Sequence, residues 1–151
     1  MKELLLERVV FNTPSFEEFS ELKITLINYH APFAEKLGFI DSAAANYGRK
    51  EVIDYFNNND YDRFLIKKDN TTLGIIEYYL KQSEIDEDKQ CLYIDNLYIK
   101  DLYRGYGYSR DLIRRLKKQY GHLELTCYYD LPANDVYKQI GFKKLCTTYF
   151  F

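Results

Sequence analysis

The stretch RGYGYS, residues 104–109, places two glycines one residue apart just before a helix-like apolar pattern. The free N–H groups at the start of a helix, together with the helix dipole, form a site for an anion. Gly105 and Gly107 leave the backbone open to phosphate oxygens because glycine has no Cβ. The spacing is neither Gly-x-Gly-x-x-Gly, since Arg110 stands at the last place, nor a P-loop, since no Gly-Lys-Ser/Thr follows. On its own, such a turn is more often structural than ligand-binding.

The segment before this turn predicts a strand whose alternation contains one fault. Its apolar residues form two alternating pairs that are out of phase: Leu92 and Ile94, then Leu97 and Ile99. A strict period of two would place the two pairs on opposite faces of a sheet. One extra residue near Asp95–Asn96, a β-bulge, would restore the phase. The alternative is a strand buried on both faces, which needs no alternation.

The elements that must position these motifs follow from hydrophobic period and turn residues. The predicted strands are Leu4–Val10, Arg63–Lys68, Leu73–Leu80, Cys91–Ile99, Leu123–Tyr128 and Phe142–Phe151. The first helix begins near Pro14, with Ser15 as its cap and Glu18 completing a capping box. Further helices are predicted from beyond Pro32 to near Phe56, over Tyr108–Tyr120, and over Leu131–Ile140 with Gly141 as the stop. No composition break indicates a linker, so residues 1–151 are predicted to form a single domain.

Composition argues against several classes of protein. The chain is 46% hydrophobic with a formal net charge of −2, which is typical of a globular protein and not of a nucleic-acid binder. No apolar run approaches the ~20 residues of a membrane span. Cys91, Cys127 and Cys146 lack metal-ligand spacing, so we expect reduced core cysteines in a cytoplasmic protein. His30 and His122 are the only histidines, which argues against a histidine-rich zinc site.

Two motifs on these elements resemble those of the GNAT superfamily, the general N-acetyltransferases. The family's acyl-CoA motif reads Arg/Gln-x-x-Gly-x-Gly/Ala after a bulged fourth strand, and Arg104, Gly107 and Ser109 fill its three places, Ser109 as a small departure. The family's second motif, Asn-x-x-Ala-x-x-Leu-Tyr and then Gly-Phe three residues later, is similar to DLPANDVYKQIGF. The matching residues there are Ala133, Val136, Tyr137, Gly141 and Phe142, while Asp130 stands where Asn is usual. The order of elements also fits.

The resemblance implies an α/β fold with a mixed, largely antiparallel sheet of six or seven strands and helices on both faces. A V-shaped splay would separate the fourth strand from the fifth. Acetyl-CoA would place its pyrophosphate on the backbone N–H groups from Arg104 to Ser109, and its pantetheine in the splay like a missing strand. The implied cofactor contacts are Leu97, Tyr98, Ile99, Arg104, Gly105, Tyr106, Gly107, Tyr108, Ser109 and Asn134, without a metal.

Acetyl transfer to an amine needs a neutral amine, a polarised carbonyl and a proton for the departing thiolate. A backbone N–H at Tyr98 or Ile99, freed by the bulge, is the expected donor to the carbonyl. Tyr137 matches the family's general-acid tyrosine, and packing on the sheet is the alternative. Asp95 is the first candidate for the base or amine-binding group, and Glu77 on the third strand is the second. For either carboxylate, the alternative is a solvated surface group.

These patterns predict an acetyl-CoA-dependent N-acetyltransferase acting on a primary amine. Transfer to a protein N-terminus or lysine is the alternative enzyme, and a non-catalytic CoA-binding sensor is the alternative of another class. The expected partners are a small-molecule or peptide amine, with no nucleic acid or membrane, and a homodimer is left open. No motif encodes the acceptor; the aromatic residues that would shape its site are Phe33, Phe39, Tyr47, Tyr78, Tyr79 and Tyr98.

Overall fold

The computed structural model describes residues 3–36, 47–127 and 131–145. The elements in order are β1 (Leu5–Arg8), α1 (Pro14–Lys36), α2 (Arg49–Asn58), β2 (Asp62–Lys68), β3 (Thr71–Gln82), β4 (Gln90–Ile99), a 3₁₀ turn (Asp101–Tyr103), α3 (Tyr108–Tyr120), β5 (Leu123–Leu125) and α4 (Ala133–Ile140). In the described residues, no helix is long and apolar enough to cross a membrane.

The described strands form one mixed sheet in the order β1-β2-β3-β4-β5. Every neighbouring pair is antiparallel except β4 and β5, which run parallel. The α/β fold and the largely antiparallel sheet are therefore confirmed, with five strands among the described residues instead of six or seven. Residues 142–145 of the predicted sixth strand have no regular structure, and residues 146–151 lie outside the described ranges.

Helices cover both faces of the sheet, as predicted. Helices α1 and α2 pack on one face, in a cluster that includes Phe16, Phe19, Leu26, Val52, Leu65 and Ile75. Helix α3 packs on the other face through residues at helical spacing, in a cluster that includes Leu112, Ile113, Leu116, Ile66 and Ile76. Burying these side chains stabilises the fold by roughly 1.5–3 kcal/mol each.

Both ends of α1 differ from the prediction. Helix α1 begins at Pro14, a residue whose fixed φ suits the first helical position, so Ser15 lies inside the helix. The Ser15 hydroxyl accepts a hydrogen bond from the Val10 N–H at 3.0 Å, and its predicted capping role is wrong. The break at Pro32 is also wrong, because α1 continues to Lys36. Pro32 removes one N–H near the end of the helix, where the packed residues that precede it, such as Leu26, already hold the helix on the sheet.

The predicted bulge in β4 is confirmed at the predicted place. Asn96 pairs with Glu77 on β3 and Ile94 pairs with Tyr78, so Asp95 is the extra residue. Pairing between β4 and β5 covers only residues 92–94 of β4 and ends at the residue before the bulge. Beyond that point, within the described part of the chain, β4 has a strand neighbour on its β3 side alone. The two parallel strands therefore part at Asp95, which is the splay expected of the fold.

Glycine is required at position 74, where β3 pairs with the splayed end of β4. A Cβ built on Gly74 would lie 1.9 Å from the carbonyl oxygen of Tyr98, which is a backbone atom that cannot rotate away. Gly74→Ala is therefore expected to force the two strands apart and to destabilise the protein by roughly 1–3 kcal/mol. For a domain of this size, the melting temperature should fall by roughly 2–10 °C in a circular-dichroism melt.

The matched control is Gly48→Ala. A Cβ there would meet Glu51 Oε2 at 3.5 Å, an ordinary contact, and its effect on the melting temperature should be clearly smaller. Equal melting temperatures for Gly74→Ala and the wild type would contradict the assigned packing.

Candidate active site

A cleft of about 980 Å³ occupies the splay between β4 and β5. Its walls are the second half of β4, the turn before α3, the end of β5 and the start of α4, with the later part of α1 along one side. This volume lies at the upper end of the range for small-molecule sites, roughly 300–1,000 Å³. All but one of the predicted cofactor contacts line the cleft: Leu97, Tyr98, Ile99, Arg104, Gly105, Tyr106, Gly107, Tyr108 and Ser109.

The start of α3 forms one end of this cleft. Gly107 is the N-cap at φ +82° and Gly105 has φ +84°, both in the left-handed region that favours glycine. The first helical bond runs from the Asp111 N–H to the Gly107 carbonyl at 3.0 Å, so the preceding N–H groups of the first turn have no acceptor within the helix. No side chain from the described part of the protein caps the helix there. Backbone donors and the positive end of the helix dipole thus face the cleft, an arrangement that suits an anion.

The free edge of β4 presents alternate backbone groups to the cleft. The Lys100 N–H donates to the Leu73 carbonyl of β3 at 2.8 Å. In an antiparallel ladder the bonded residues alternate, so the amide groups of Tyr98 face β3 and those of Leu97 and Ile99 face the cleft. Of the two N–H groups expected to polarise a carbonyl, the geometry therefore favours that of Ile99.

Arg104 fastens the glycine turn to β4 and α1. Its Nε donates to the Ile99 carbonyl at 2.8 Å, and its Nη1 lies 2.8 Å from Asp101 Oδ1. The guanidinium also lies over the rings of Tyr29 and Tyr98, at 5.2 and 5.3 Å from their centroids. Because Arg104 occupies the Ile99 carbonyl, the Ile99 N–H is the backbone group of this residue that a ligand could use.

Tyr137 lies on the opposite wall of the cleft, on α4. Its ring packs edge-on against Phe142, with centroids 5.7 Å apart. Burial, with a smaller contribution from Cys127, raises the pKa of Tyr137 to about 12. The phenol therefore keeps its proton at neutral pH and can donate it.

Asp95 points into the cleft from the bulge. Its Oδ2 accepts hydrogen bonds from the Tyr55 hydroxyl at 2.7 Å and from Asn96 Nδ2 at 2.9 Å. Neighbouring residues of a regular strand point to opposite faces, but the bulge lets Asp95 and Asn96 both reach the face covered by α1 and α2. Within the described residues both bonds converge on Oδ2, which leaves Oδ1 for another donor.

Glu77, the other candidate carboxylate, is fully buried and does not line the cleft. It forms ion pairs with Lys23 of α1 and with Arg63 Nε of β2, the latter at 2.9 Å. It also accepts a hydrogen bond from Asn96 Nδ2 at 3.0 Å. Asn96 thus connects Glu77 to Asp95 and separates it from the cleft, so only Asp95 of the two lies beside the other site residues.

Sequence reasoning missed the groups that hold these carboxylates, namely Lys23, Tyr55, Arg63 and Asn96. One signal was available for Lys23: it lies four residues after Phe19 and seven after Phe16, on the buried stripe of α1. A charged residue whose helical spacing places it among core residues predicts a buried partner of opposite charge.

His30 was also missed as a residue of the cleft, which it lines from α1. Burial and the charge of Lys23 lower its pKa, so its imidazole is neutral at neutral pH.

The remaining predicted residues have mixed outcomes. Asn134 does not line the cleft, and its Nδ2 donates to the Leu131 carbonyl at 3.0 Å. Tyr78 packs in the core under α3, so its assignment to the acceptor wall is wrong, whereas Tyr79 lies on the opposite face beside Tyr93. Phe39, Asp130 and Cys146 lie outside the described residues. No group of three or more potential metal ligands occurs among the described residues.

Comparison with known proteins agrees with this architecture. The model of the acetyltransferase (GNAT) family matches residues 26–142. Among curated proteins, none matches the chain significantly.

Several solved structures share the fold at low sequence identity. A putative acetyltransferase from Bacillus subtilis is 16% identical with a TM-score of 0.73, over 99% of this chain and 98% of that one. A predicted acetyltransferase from Clostridium acetobutylicum, solved with acetyl-CoA, is 16% identical with a TM-score of 0.60, over 99% and 96% of the two chains. AAC(6')-Iy, solved with the bisubstrate analog CoA-S-monomethyl-acetylneamine, is 13% identical with a TM-score of 0.65, over 99% of this chain and 97% of that one.

Since the family model spans most of the chain and the fold agrees, the chain belongs to the GNAT family of acetyltransferases.

Proposed function

We propose that this protein transfers the acetyl group of acetyl-CoA to a primary amine by direct attack. One observation carries the proposal: a single cleft joins the start of α3, the free edge of β4, the Tyr137 phenol and the Asp95 carboxylate. The first two features suit a phosphate-bearing, strand-like ligand, and the last two supply an acid and an acceptor for protons. Membership of the family supports acyltransferase chemistry.

The residues of the cleft fit acetyl-CoA, which supplies the reactive thioester when bound. The N–H groups at the start of α3 would bind the pyrophosphate, and the pantetheine would lie along the edge of β4 at Leu97 and Ile99, hydrogen-bonded to the backbone of Leu97. The Ile99 N–H would stabilise negative charge as it develops on the carbonyl oxygen. Tyr137 would protonate the departing sulfur, since its pKa of about 12 keeps the phenol protonated.

Asp95 would act on the amine, either as its proton acceptor or as the group that binds it. A carboxylate beside an ammonium favours the charged form, so closeness alone does not activate the nucleophile. Asp95 must therefore accept the proton, directly or through water, or fix the orientation of the amine. Tyr55 and Asn96 donate to Oδ2, which leaves Oδ1 as an acceptor for the amine. We assign the role to Asp95 and not to Glu77, because the Glu77 oxygens are taken up by buried partners.

An assay of CoA release against a panel of amines tests this function. Release that depends on the added amine is expected. A CoA-binding sensor would bind the ligand without releasing CoA with any amine, and a peptide acetyltransferase would respond to peptides alone.

Acetyl-CoA should stabilise the wild type. At a concentration of 100 times its dissociation constant, the expected gain is ~2.7 kcal/mol, roughly 5–10 °C in melting temperature. Gly107→Val should abolish most of this shift, since a β-branched side chain is strained at φ +82° and obstructs the approach to the helix start.

Gly121→Val is the matched control. Gly121 ends the same helix at φ +80° with open space around it and does not line the cleft, so this variant carries the strain but should keep the acetyl-CoA shift. No shift in the wild type, or equal shifts in the two variants, would contradict the assigned phosphate site.

Tyr137→Phe should lower turnover by roughly 10²–10⁴-fold while acetyl-CoA affinity stays the same, because the ring remains and only the proton donor is lost. In the wild type, turnover should not decline through this group between pH 7 and 10, since its pKa is about 12. Steady-state kinetics and a thermal shift measure both effects. Tyr120→Phe, at the end of α3 and outside the cleft, should leave turnover unchanged. Near-full turnover of Tyr137→Phe would make Tyr137 a packing residue.

Asp95→Asn separates the two roles of the carboxylate, because the amide keeps the shape and loses the basicity. A fall in kcat at constant KM, partly rescued at high pH, is the expected result for a base. A raised KM with kcat intact is the expected result for an amine-binding group. Steady-state kinetics in which neither constant changes would show that Asp95 takes no part in the reaction.

A further inference from the structure

A row of three tyrosines begins at the wall of the cleft, near Asp95, and continues across the sheet. Tyr93 on β4, Tyr79 on β3 and Tyr61 just before β2 lie side by side, and we refer to them as the tyrosine row. The rings of Tyr61 and Tyr79 are stacked with centroids 4.4 Å apart and planes at 13°. The rings of Tyr79 and Tyr93 have centroids 5.3 Å apart. All three side chains are half-buried, so the row is a partly solvated aromatic surface.

The tyrosine row is joined to the candidate active site at both ends. Tyr93 itself lines the cleft, two residues before Asp95. At the other end, the Tyr61 ring meets the ring of Tyr55 edge-on at 5.8 Å, and the Tyr55 hydroxyl donates to Asp95. A molecule whose amine lies at Asp95 therefore has the row as its adjacent surface.

The charges around this region suit a single positive charge. Asp95 is the sole carboxylate among the described residues that line the cleft, whereas Arg104 and Arg110 also line it. Two cations that lie over rings of the row are each paired with a carboxylate: Lys81, whose Nζ is 4.5 Å from the Tyr93 centroid, with Glu84, and Arg63, 5.4 Å from the Tyr61 centroid, with Glu77. One ammonium can pair with Asp95, but a second in the cleft would meet no other carboxylate among the described residues that line it.

We infer that the acceptor is a primary monoamine with a flat aromatic body, its ammonium at Asp95 and its ring against the tyrosine row. This inference rests on the proposed function, because it names the acceptor class of the same site. Aromatic rings attract one another in offset and edge-on arrangements beyond the gain from apolar contact alone. An acceptor of the same size with a saturated ring loses that part of the attraction. Polyamines and aminosugars with several ammonium groups are disfavoured by charge.

The test compares four acceptors with the wild type: 2-phenylethylamine, its saturated analogue 2-cyclohexylethylamine, spermidine and kanamycin. We expect kcat/KM for 2-phenylethylamine to exceed that for 2-cyclohexylethylamine by about five- to tenfold. Spermidine and kanamycin should be poorer acceptors than either monoamine. The two monoamines share chain length, but 2-phenylethylamine is the weaker base, so kcat/KM is expressed per concentration of neutral amine to isolate the contribution of the aromatic ring.

Variants of the tyrosine row test whether it causes the preference for 2-phenylethylamine over 2-cyclohexylethylamine. Tyr93→Leu and Tyr79→Leu should each bring the ratio close to one, whereas Tyr79→Phe should keep it because the ring is retained. Tyr120→Leu removes the ring of the last residue of α3, which packs on the other face of the sheet from the tyrosine row, and should leave the ratio unchanged. Using two positions keeps the test decisive if one leucine variant fails to fold.

The outcomes separate this inference from the proposed function. A ratio near one in the wild type, or a preference for spermidine or kanamycin, would overturn the aromatic monoamine while leaving amine acetylation intact. Acetyl-CoA binding without transfer to any amine would overturn both. A tenfold ratio that survives both leucine variants would show that the aromatic preference arises elsewhere.

Discussion

A fully buried carboxylate, Glu77, is the constraint on which the rest of the site depends. An unpaired charge in the interior is very costly, so Glu77 is compatible with the fold only while its partners stay in place. Those partners come from three elements: Lys23 from α1, Arg63 from β2 and Asn96 from β4. Arg63 in turn donates to the carbonyl of Asn59 at the end of α2, at 2.9 Å. One interior charge therefore fixes the positions of both N-terminal helices relative to the sheet.

The bulge at Asp95 connects this buried charge to the cleft. Asn96 reaches Glu77 on the helix-covered face, and the extra residue lets Asp95 emerge beside it. The bulge also coincides with the end of the β4–β5 pairing, so the position that exposes a carboxylate is the position where the cleft begins. The residues that stabilise the fold thus also hold the proposed site: Asn96 bonds to both Glu77 and Asp95, and Tyr55 links Asp95 to the tyrosine row.

The sequence predicted those features that depend on local pattern. The fault in alternation located the bulge at Asp95, and helical spacing gave α3 its observed bounds, Tyr108–Tyr120. Contacts distant in sequence were not predictable in this way, since Lys23 and Glu77 are 54 residues apart. Adjacent tyrosines of a strand point to opposite faces, and only tertiary packing decides that Tyr79, and not Tyr78, lies on the face with Asp95.

The central claim is that one cleft holds both the phosphates of the acyl donor and the groups that act on the amine. A crystal structure of the protein with CoA tests it most directly. We predict the pyrophosphate against the N–H groups at the start of α3, the pantetheine along Leu97 and Ile99, and the sulfur facing the Tyr137 phenol on the side of Asp95. CoA bound outside the β4–β5 splay, or with its sulfur directed away from both Tyr137 and Asp95, would contradict the account.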